Sequence, residues 1–337
     1  MKQPIPRWLL YGVATYALGT ALWLLLWLVR GDEGWLLILV DHYGSLPPLL
    51  ALPLLIFALV KRHWWLALAL FPVLFFYSVL FGPYLIPHLV ATTSLPVTPP
   101  DLSVMSYNVL WRNQDHAAIA NLIHTHQPDL VALQEAGPEL FAFLQEALGD
   151  DYVAAHMADV PENSTTAILS RYPVQRFTVL DLGAIRPAVI ADLEIAGRTV
   201  TFVSAHLLYY GWLWVPWTEL PLHIETVHRL QVQQAQILIE ELSKHHGETA
   251  ILACDCNSVD TSATQLLLNR RLTNAAKVTG WVLPQPNKPR LGPFYFPQRI
   301  DYIFYRGKVR PRYVYTIYDS GNSDHLPVLA AFDFAAE

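Results

Sequence analysis

The sequence predicts an α/β domain preceded by an apolar, helical N-terminal region. From residue 101 onward, short apolar runs each end in one polar residue of catalytic type, as at Asn108, Glu135, His206 and Asp255. Apolar runs of this length are typical of strands buried on both faces, which places the polar side chains at strand tips. Segments with helical spacing separate the runs, and this alternation of strand and helix indicates a layered fold.

Composition indicates a membrane region at the N-terminus. The chain is 53% hydrophobic with a mean hydropathy of +0.29, too apolar for a purely soluble protein, and most of the excess precedes residue 95. Segment 8–29 carries no charge and, at about 1.5 Å per residue, can cross a bilayer core of about 30 Å. It predicts a transmembrane helix. A cleaved signal peptide is the alternative, although the run exceeds the roughly 7–15 apolar residues of such a peptide.

Two further apolar segments follow, at 46–60 and 64–90. The first of these is short and holds three prolines, so it can span only if it is extended by residues 35–43, which include Asp41 and His42. We therefore expect about three transmembrane helices within residues 1–90.

Basic residues are distributed unevenly around these segments. Lys2 and Arg7 precede the first span and Lys61 and Arg62 precede the last, whereas Arg30 in the intervening loop is offset by two acidic residues. By the positive-inside rule the N-terminus and the Lys61–Arg62 loop are cytoplasmic. Three spans then place everything after residue 90 outside the cytoplasm, in a multi-pass membrane protein.

Residues 91–100 have the Pro/Thr-rich composition of an extended linker. We therefore divide the chain into a membrane region at 1–90, this linker, and a folded domain at 101–337. The folded domain has a net charge of about −8, which provides no basic footprint for long nucleic acid. Nucleic acid is thus not favoured as a partner, although a divalent cation could offset the acidic charge locally.

A strand–helix–strand unit opens the domain. After the strand that ends at Asn108, Asn113 or Asp115 can cap a helix that ends at Pro128, and the next strand carries Glu135 to its tip. No Lys or Arg lies within that run, and a buried carboxylate without a cationic partner is costly. A hard divalent cation is the natural partner for such a carboxylate.

Three later segments place polar residues in the same kind of position. Asp255 and Asn257 are two residues apart and lie on the same side if their strand continues. Asp301 lies in an aromatic, β-branched strand, and Asp324 and His325 immediately precede another apolar strand. Each residue alone would most often be a cap, a turn or a surface charge, so only their joint occurrence is informative.

The ordered motifs are Tyr107-Asn108, Gln134-Glu135, Ile168-Leu169-Ser170-Arg171-Tyr172-Pro173, Ala205-His206, Asp255-Cys256-Asn257, Ile300-Asp301-Tyr302-Ile303 and Ser323-Asp324-His325. This set resembles the endonuclease/exonuclease/phosphatase superfamily, which includes pancreatic-type deoxyribonucleases, abasic-site endonucleases, inositol-polyphosphate 5-phosphatases and neutral sphingomyelinases. The resemblance covers roughly residues 101–335. It implies a four-layer α/β sandwich, in which two mixed β-sheets pack together with helices outside, and cleavage of a phosphate ester with Mg²⁺ or a similar ion.

The resemblance also implies a metal site. Glu135 looks like the main metal ligand with Asn108 beside it, and Asp324 looks like the acidic neighbour near the metal. We expect Mg²⁺ or Mn²⁺ as the cofactor. Family members usually have Gly before the Asp and an aromatic residue after it, where this chain has Cys254 and Cys256, and a thiol there could favour a softer ion.

Catalytic roles follow from the same resemblance. Asp255 resembles the carboxylate that orients or deprotonates the attacking water, and Asn257 resembles a donor to the phosphoryl oxygens. His325 resembles the catalytic histidine held by Asp301, and His206 resembles a second histidine that donates to the phosphate. A histidine held by a carboxylate has the tautomer and the pKa of a general base. The sequence leaves open whether Asp255 or His325 is the base.

Two arginines are expected to contact substrate. Arg171 lies in one of the family-like motifs. Arg229 and Gln233 are one turn apart on a polar helix, where a similar Arg and Gln face the site in relatives.

Cys254 and Cys256 are the only cysteines. They are two residues apart in one predicted strand, so their side chains should point the same way and suit a disulfide poorly. We interpret them as small buried apolar residues.

An aromatic segment at 207–217 directly follows His206. Trp and Tyr favour membrane interfaces, so this segment could contact the bilayer. The alternative is that its side chains cover the core of the domain itself.

The expected function is that of a membrane-anchored, metal-dependent phosphoesterase. Its substrate would be a phosphodiester or phosphomonoester at the membrane surface, such as a lipid headgroup or another small phosphate ester. An extracytoplasmic endo- or exonuclease is one alternative. A catalytically silent membrane-anchored binding protein is an alternative of another class, although an intact set of catalytic residue types argues against it.

Overall fold

The computed structural model of the protein describes residues 6–42, 47–85, 99–159, 161, 164–244, 249–280, 290–291, 294–295 and 298–335. The helices are α1 (Arg7–Arg30), α2 (Trp35–His42), α3 (Pro47–Val60), α4 (Trp64–Leu85), α5 (His116–His126), α6 (Pro138–Leu148), α7 (Leu220–Lys244), α8 (Ala263–Asn269) and α9 (Ala275–Thr279). The strands are β1 (Leu102–Asn108), β2 (Leu130–Gln134), β3 (Ala154–Met157), β4 (Thr166–Ser170), β5 (Val174–Leu180), β6 (Ala188–Ile195), β7 (Arg198–His206), β8 (Thr249–Asp255), β9 (Thr273–Asn274), β10 (Arg290–Leu291), β11 (Phe294–Tyr295), β12 (Asp301–Gly307), β13 (Val309–Thr316) and β14 (Val328–Phe334).

Two mixed sheets form the centre of the domain. The first has the strand order β13-β14-β1-β2-β4-β3 and the second has the order β5-β6-β7-β8-β12-β9. Within each sheet one central pair is parallel, β1 with β2 and β7 with β8, and the other pairings are antiparallel. Because parallel neighbours end at the same edge, the polar residues at their tips come together.

Alternate residues of the central strands face two different cores. Val104 of β1 packs between the sheets with Phe202 of β7, whereas Met105 faces outward to α5 and α6. On the other side α7 and α8 cover the outer face of the second sheet, where Leu252 packs. This is a helix–sheet–sheet–helix arrangement, so the predicted four-layer α/β sandwich is confirmed.

Two N-terminal helices, α1 and α4, are long and apolar enough to cross a membrane by length and composition. The intervening α3 has 14 residues and so measures about 21 Å, less than the roughly 30 Å of a bilayer core. Residues 86–90 of the predicted last span and residues 91–98 of the predicted linker lie outside the described residues. The division of the chain at the linker stays a prediction.

The short helix α2 packs on the domain and does not extend α3. Its Ile38 lies in one buried cluster with Tyr210 and with Ile224 of α7. The backbone N–H of Trp35 also donates to Glu225 Oε1 (3.1 Å). Residues 35–42 of the extension that the middle span would need are therefore engaged elsewhere, and residue 43 lies outside the described residues.

Apolar contacts show that α3 runs antiparallel to α1. Val13 of α1 clusters with Ala58 near the end of α3, whereas Trp23 clusters with Ala51 near its start. Since α4 begins directly after the turn at Lys61–Arg62, this turn and the start of α1 lie at the same end of the helical bundle.

The other end of the bundle contacts the domain. Trp27 Nε1 donates to the carbonyl oxygen of Thr261 (3.0 Å), and the Tyr84 hydroxyl donates to Asp260. The Arg299 guanidinium lies 4.2 Å from the centre of the Tyr84 ring. The N-terminal helices and the domain thus share a polar and aromatic interface.

Candidate active site

The first sheet contributes Asn108 and Glu135 to one edge of the sandwich. Asn108, the last residue of β1, is paired with Gln134, the last residue of β2, so Glu135 follows directly at the tip. Asn108 Nδ2 donates to Glu135 Oε1 at 3.4 Å, and the backbone N–H of Trp111 donates to Glu135 Oε2 at 3.2 Å. Glu135 adopts φ +60°, a backbone region that non-glycine residues populate rarely and that recurs at functional sites.

The second sheet contributes three residues in one row. The parallel register pairs His206 with Asp255, and the antiparallel register pairs Asp255 with Asp301. Asn108 Nδ2 donates to Asp255 Oδ2 at 2.8 Å across the interface between the sheets. The tips of both sheets therefore form a single site.

His325 completes the site from the loop before β14. Its Nδ1 hydrogen-bonds Asp301 Oδ2 (2.9 Å), and its Nε2 lies 3.8 Å from Asp255 Oδ2. The loop is fixed because the Ser323 hydroxyl donates to the Asn108 carbonyl (2.7 Å) and accepts the His325 N–H (3.1 Å). The structure thus brings His325 and Asp301 together as the sequence predicts.

Burial and neighbouring charges set the proton affinities of the site. Burial disfavours the charged form of His325, but Asp301 and Asp255 outweigh it and raise the pKa of His325 well above its ordinary value. Burial raises the pKa of Asp255 to about 7. Burial, with Arg186 and His325 adding to it, lowers the pKa of His206 well below its ordinary value. Burial and neighbouring charges thus shift the pKa values of His206 and His325 in opposite directions.

Arg186 is a site residue that the sequence analysis missed. It precedes β6, in a turn with no recognisable motif, and its Nη1 reaches both His206 Nε2 and the Leu207 carbonyl oxygen (2.9 Å). Glu135 and Asp255 act on it electrostatically. Since a guanidinium can only donate, Nε2 of His206 accepts this hydrogen bond. The predicted role of His206 as a donor to the phosphate stays a prediction.

Replacing Arg186 should weaken substrate use without unfolding the domain. The Arg186→Lys variant keeps the charge but cannot reach both acceptors, so kcat/KM on bis-p-nitrophenyl phosphate should fall about 10- to 100-fold, the range for a charged hydrogen bond. Arg176→Lys is the matched control, because Arg176 is exposed on β5 and pairs with Asp192. Equal kcat/KM values for both variants would remove Arg186 from the site.

Asn257 turns back toward the site immediately after β8. It adopts φ +45°, its backbone N–H donates to Asp255 Oδ1 (3.1 Å), and its Nδ2 donates to the Leu207 carbonyl (3.0 Å). This side-chain hydrogen bond joins the turn after β8 to the residue that follows β7.

The glutamines of α7 that support the site differ from the predicted residues. Gln231 Nε2 donates to the Asn257 carbonyl (3.0 Å), and Gln234 Oε1 accepts the backbone N–H of Leu208 (2.9 Å). Arg229 and Gln233 lie on the exposed face of the helix. The expectation that Arg229 faces the site is therefore corrected: the buried face of α7 repeats at Ile224, Val227, Gln231, Gln234 and Leu238, and position 229 falls outside that spacing.

Arg171 is also not brought to the site. It follows β4, which runs antiparallel to β2, so it lies at the opposite edge of the sheet from Glu135. There its N–H donates to the Asp129 carbonyl (3.0 Å), and its guanidinium lies 5.5 Å from the Tyr152 ring. The position of Arg171 does not support the predicted contact with substrate.

Asp324 lies next to His325 and is half-buried. It acts electrostatically on His325 and on Tyr209. Its predicted place near a metal stays a prediction.

Cys254 and Cys256 form a disulfide that brackets Asp255, contrary to the expected pair of thiols. The expectation assumed a continuous strand, but β8 ends at Asp255. The Cα atoms are 5.2 Å apart, whereas two residues of extended strand would separate them by about 6.6 Å. The bend therefore brings the side chains together, and both remain fully buried as predicted.

The donor set at this edge fits a hard divalent cation. Asp255, Asp301 and His325 offer ligand atoms within 4.8 Å of one another. The hydrogen bond between His325 and Asp301 already engages two of these groups. The Asn108 amide turns its Nδ2 toward Glu135 and Asp255, while its oxygen accepts the Leu110 N–H (3.0 Å), so the metal site predicted at Glu135 and Asn108 stays a prediction. Carboxylate and amide oxygens are the ligands that Mg²⁺ and Mn²⁺ prefer.

The aromatic segment after His206 divides into a packed part and an exposed part. Tyr210 is buried and Trp212 packs against the same cluster as Ile38 of α2. Trp214 and Trp217 are 86% and 81% exposed. The packed residues thus fit the interpretation that the segment covers apolar surface of the domain, and bilayer contact by the exposed residues stays a prediction.

Comparison with known proteins gives one family and a shared fold. Residues 105–325 match the model of the "Endonuclease/Exonuclease/phosphatase family". The structure is similar to D. rerio TDP2 complexed with single strand DNA product (19% identity, 69% of this chain and 98% of that one, TM-score 0.56). It is also similar to the endonuclease/exonuclease/phosphatase from Bacteroides vulgatus (18% identity, 69% and 98%, TM-score 0.56). A search of curated proteins gave no match.

Proposed function

Because the chain belongs to the endonuclease/exonuclease/phosphatase family, we propose that it is a phosphoric ester hydrolase that uses Mg²⁺ or Mn²⁺ at a membrane surface. Its substrate would be a phosphodiester or phosphomonoester, either a lipid headgroup or another small phosphate ester. The observation that carries the proposal is the convergence of Glu135, Asp255 and the His325–Asp301 pair at one edge of the sandwich.

The roles follow from position. A divalent cation, held by Glu135 with Asn108 beside it, would neutralise charge that develops on the phosphate. Arg186 and Asn257 would donate hydrogen bonds to the phosphoryl oxygens. Proton removal from the attacking water falls to Asp255 and His325, which face each other across 3.8 Å.

Dependence on a divalent ion tests the proposal. Hydrolysis of bis-p-nitrophenyl phosphate should disappear with EDTA and return with added Mg²⁺ or Mn²⁺, because too few cationic side chains reach the site to replace the ion. Thermal unfolding of the same sample checks that EDTA leaves the protein folded. Unchanged turnover in EDTA would contradict the proposal.

A nuclease is the second candidate. It is favoured by the similarity to D. rerio TDP2, whose structure contains single strand DNA product, and opposed by the net charge of about −8 after residue 100. Turnover of single-stranded DNA, RNA, inositol phosphates and vesicle phospholipids by one preparation would separate the candidates. A silent binding protein would hydrolyse none of them, including the p-nitrophenyl ester.

Exposed apolar stripes support membrane crossing by α1 and α4. Large apolar residues recur at helical spacing on the outer face of each helix, and soluble proteins seldom expose patches of this kind. The stripes are Leu18, Leu22, Leu25 and Val29 on α1 and Leu68, Phe71, Phe75 and Val79 on α4. The contacts of Trp27 and Val13 support α1 as a retained helix and not a cleaved signal.

A multi-pass topology with an extracytoplasmic domain follows from this bundle and its charges. A reporter fused after Glu337 should be extracytoplasmic and one inserted at Lys61–Arg62 should be cytoplasmic, because the basic ends of the bundle lie together, opposite the domain. A cytoplasmic reporter at the C-terminus would contradict this topology and move the substrate to the inner leaflet.

A further inference from the structure

The helix α2 is held at the end of a proposed membrane span. Residues 31–34 alone separate it from α1, so α2 starts within about 18 Å of the end of α1. Ile38 and Asp41 are buried against the domain. Leu36 and Val40, four residues apart and therefore on one face, are 56% and 40% exposed. One apolar face of α2 therefore packs on the domain, and its other apolar face is exposed.

The exposed part of segment 207–217 is continuous with that helix. Trp212 packs into the cluster formed with α2, and the Tyr210 ring lies 5.5 Å from that of His42. Leu213, Trp214 and Trp217 then project from the fixed part of the segment into solvent. Indole rings in this arrangement are typical of the headgroup level of a bilayer.

The same segment begins inside the active site. The Leu207 carbonyl accepts hydrogen bonds from Arg186 and Asn257, the two proposed phosphate donors. Gln234 then holds the next backbone N–H, that of Leu208. The exposed indoles are thus attached by a few fixed residues to the groups that would bind a phosphate.

We propose that Leu36, Val40, Leu213, Trp214 and Trp217 form an interfacial rim that inserts into the bilayer leaflet beside the active site, and that this leaflet supplies the substrate as a phospholipid. The inference rests on the proposed hydrolase function and on the proposed crossing by α1 and α4. The occupant of the rim is the lipid surface from which α1 emerges, because α2 is continuous with that helix.

Immersion can be measured without any activity. Single cysteines at Trp214→Cys, Trp217→Cys and Val153→Cys are spin-labelled in the full chain, in phosphatidylcholine/phosphatidylglycerol nanodiscs. The native cysteines are buried and bonded to each other, so the introduced thiol reacts. Val153 is the control because it is 63% exposed and precedes β3 at the edge opposite the site.

The nitroxides at 214 and 217 should be relaxed more by oxygen, which partitions into lipid, than by a water-soluble nickel chelate. The nitroxide at 153 should show the reverse. Equal nickel access at 214, 217 and 153 would overturn the rim, whatever the activity of the protein.

Two substrates with one leaving group test the substrate class. The Trp214→Ser/Trp217→Ser double variant should lower kcat/KM on bilayer-borne hexadecyl p-nitrophenyl phosphate by at least about tenfold. Turnover of soluble bis-p-nitrophenyl phosphate should stay within about twofold of wild type, since neither residue is placed in the catalytic machinery. Trp214→Phe/Trp217→Phe should restore most of the activity on the bilayer substrate.

The outcomes separate the two proposals. If the wild-type protein hydrolyses neither ester, the proposed function fails. If it hydrolyses both and the double Ser variant does the same, the hydrolase stands and the rim is wrong. A variant impaired on the bilayer ester alone supports the phospholipid assignment.

Discussion

The Glu135→Gln variant should lose about 10²–10⁴ in kcat on bis-p-nitrophenyl phosphate. The amide keeps the shape of the side chain but removes the charge that would hold the cation, while the hydrogen bond from the Trp111 N–H can persist. The concentration of Mn²⁺ that gives half-maximal activity should rise as well, since the change acts through the metal. Steady-state kinetics with titrated Mn²⁺ measures both effects.

Glu146→Gln is the matched control for this change. Glu146 is an exposed residue of α6, in the helix that follows Glu135. Its replacement should leave kcat and the Mn²⁺ requirement unchanged. If Glu135→Gln behaves like Glu146→Gln, then Glu135 does not hold the cation.

The His325→Ala variant should also lose about 10²–10⁴ in kcat, because it removes a group that we propose handles the proton of the attacking water. The Asp301→Asn variant keeps the imidazole but replaces the carboxylate bonded to Nδ1. It should lower the pKa of His325, since Asp301 is the largest of the charges that raise it. A shift of the kcat–pH profile in Asp301→Asn, with the fold intact by circular dichroism, would show that Asp301 positions His325.

His124→Ala serves as the control for His325. His124 is exposed on α5 and pairs with Asp151, far from the strand tips in the fold. Its kinetics should match those of the wild type. Full activity in His325→Ala would assign proton removal to Asp255 alone.

The residues at the strand tips were predicted correctly because the pattern of apolar residues marks where each buried strand ends. A fully apolar run that ends in Asn108 or Asp255 is typical of a strand buried on both faces of a sheet. Parallel pairing of such strands then places their last residues side by side. The resemblance added the order of the motifs, which let residues as distant as Asp301 and His325 be assigned to one site. Their hydrogen bond is the outcome.

The features that were not predicted depend on which face of a helix is buried and on the conformation of turns. Position 229 was predicted because a similar Arg and Gln face the site in relatives, but the spacing of buried residues on α7 places Gln231 and Gln234 on the face that supports the site. That spacing was readable, since Gln231 continues the series from Ile224 and Val227. Arg186 had no such signal, because its contacts depend on how the turn before β6 meets β7. The disulfide was missed because the end of β8 was placed too late.

The contacts of the Tyr84 ring fix the position of the domain relative to α4. It belongs to the last turns of α4, yet it lies in the core cluster between the sheets, beside Asn274 and Arg299 of the domain. A domain on a slack tether sweeps a volume, and its effective concentration depends on the length of that tether. With α4 in a bilayer, the Tyr84 contacts would hold the domain at one distance and one angle from the membrane surface. Encounters would then be governed by lateral diffusion of molecules in a plane.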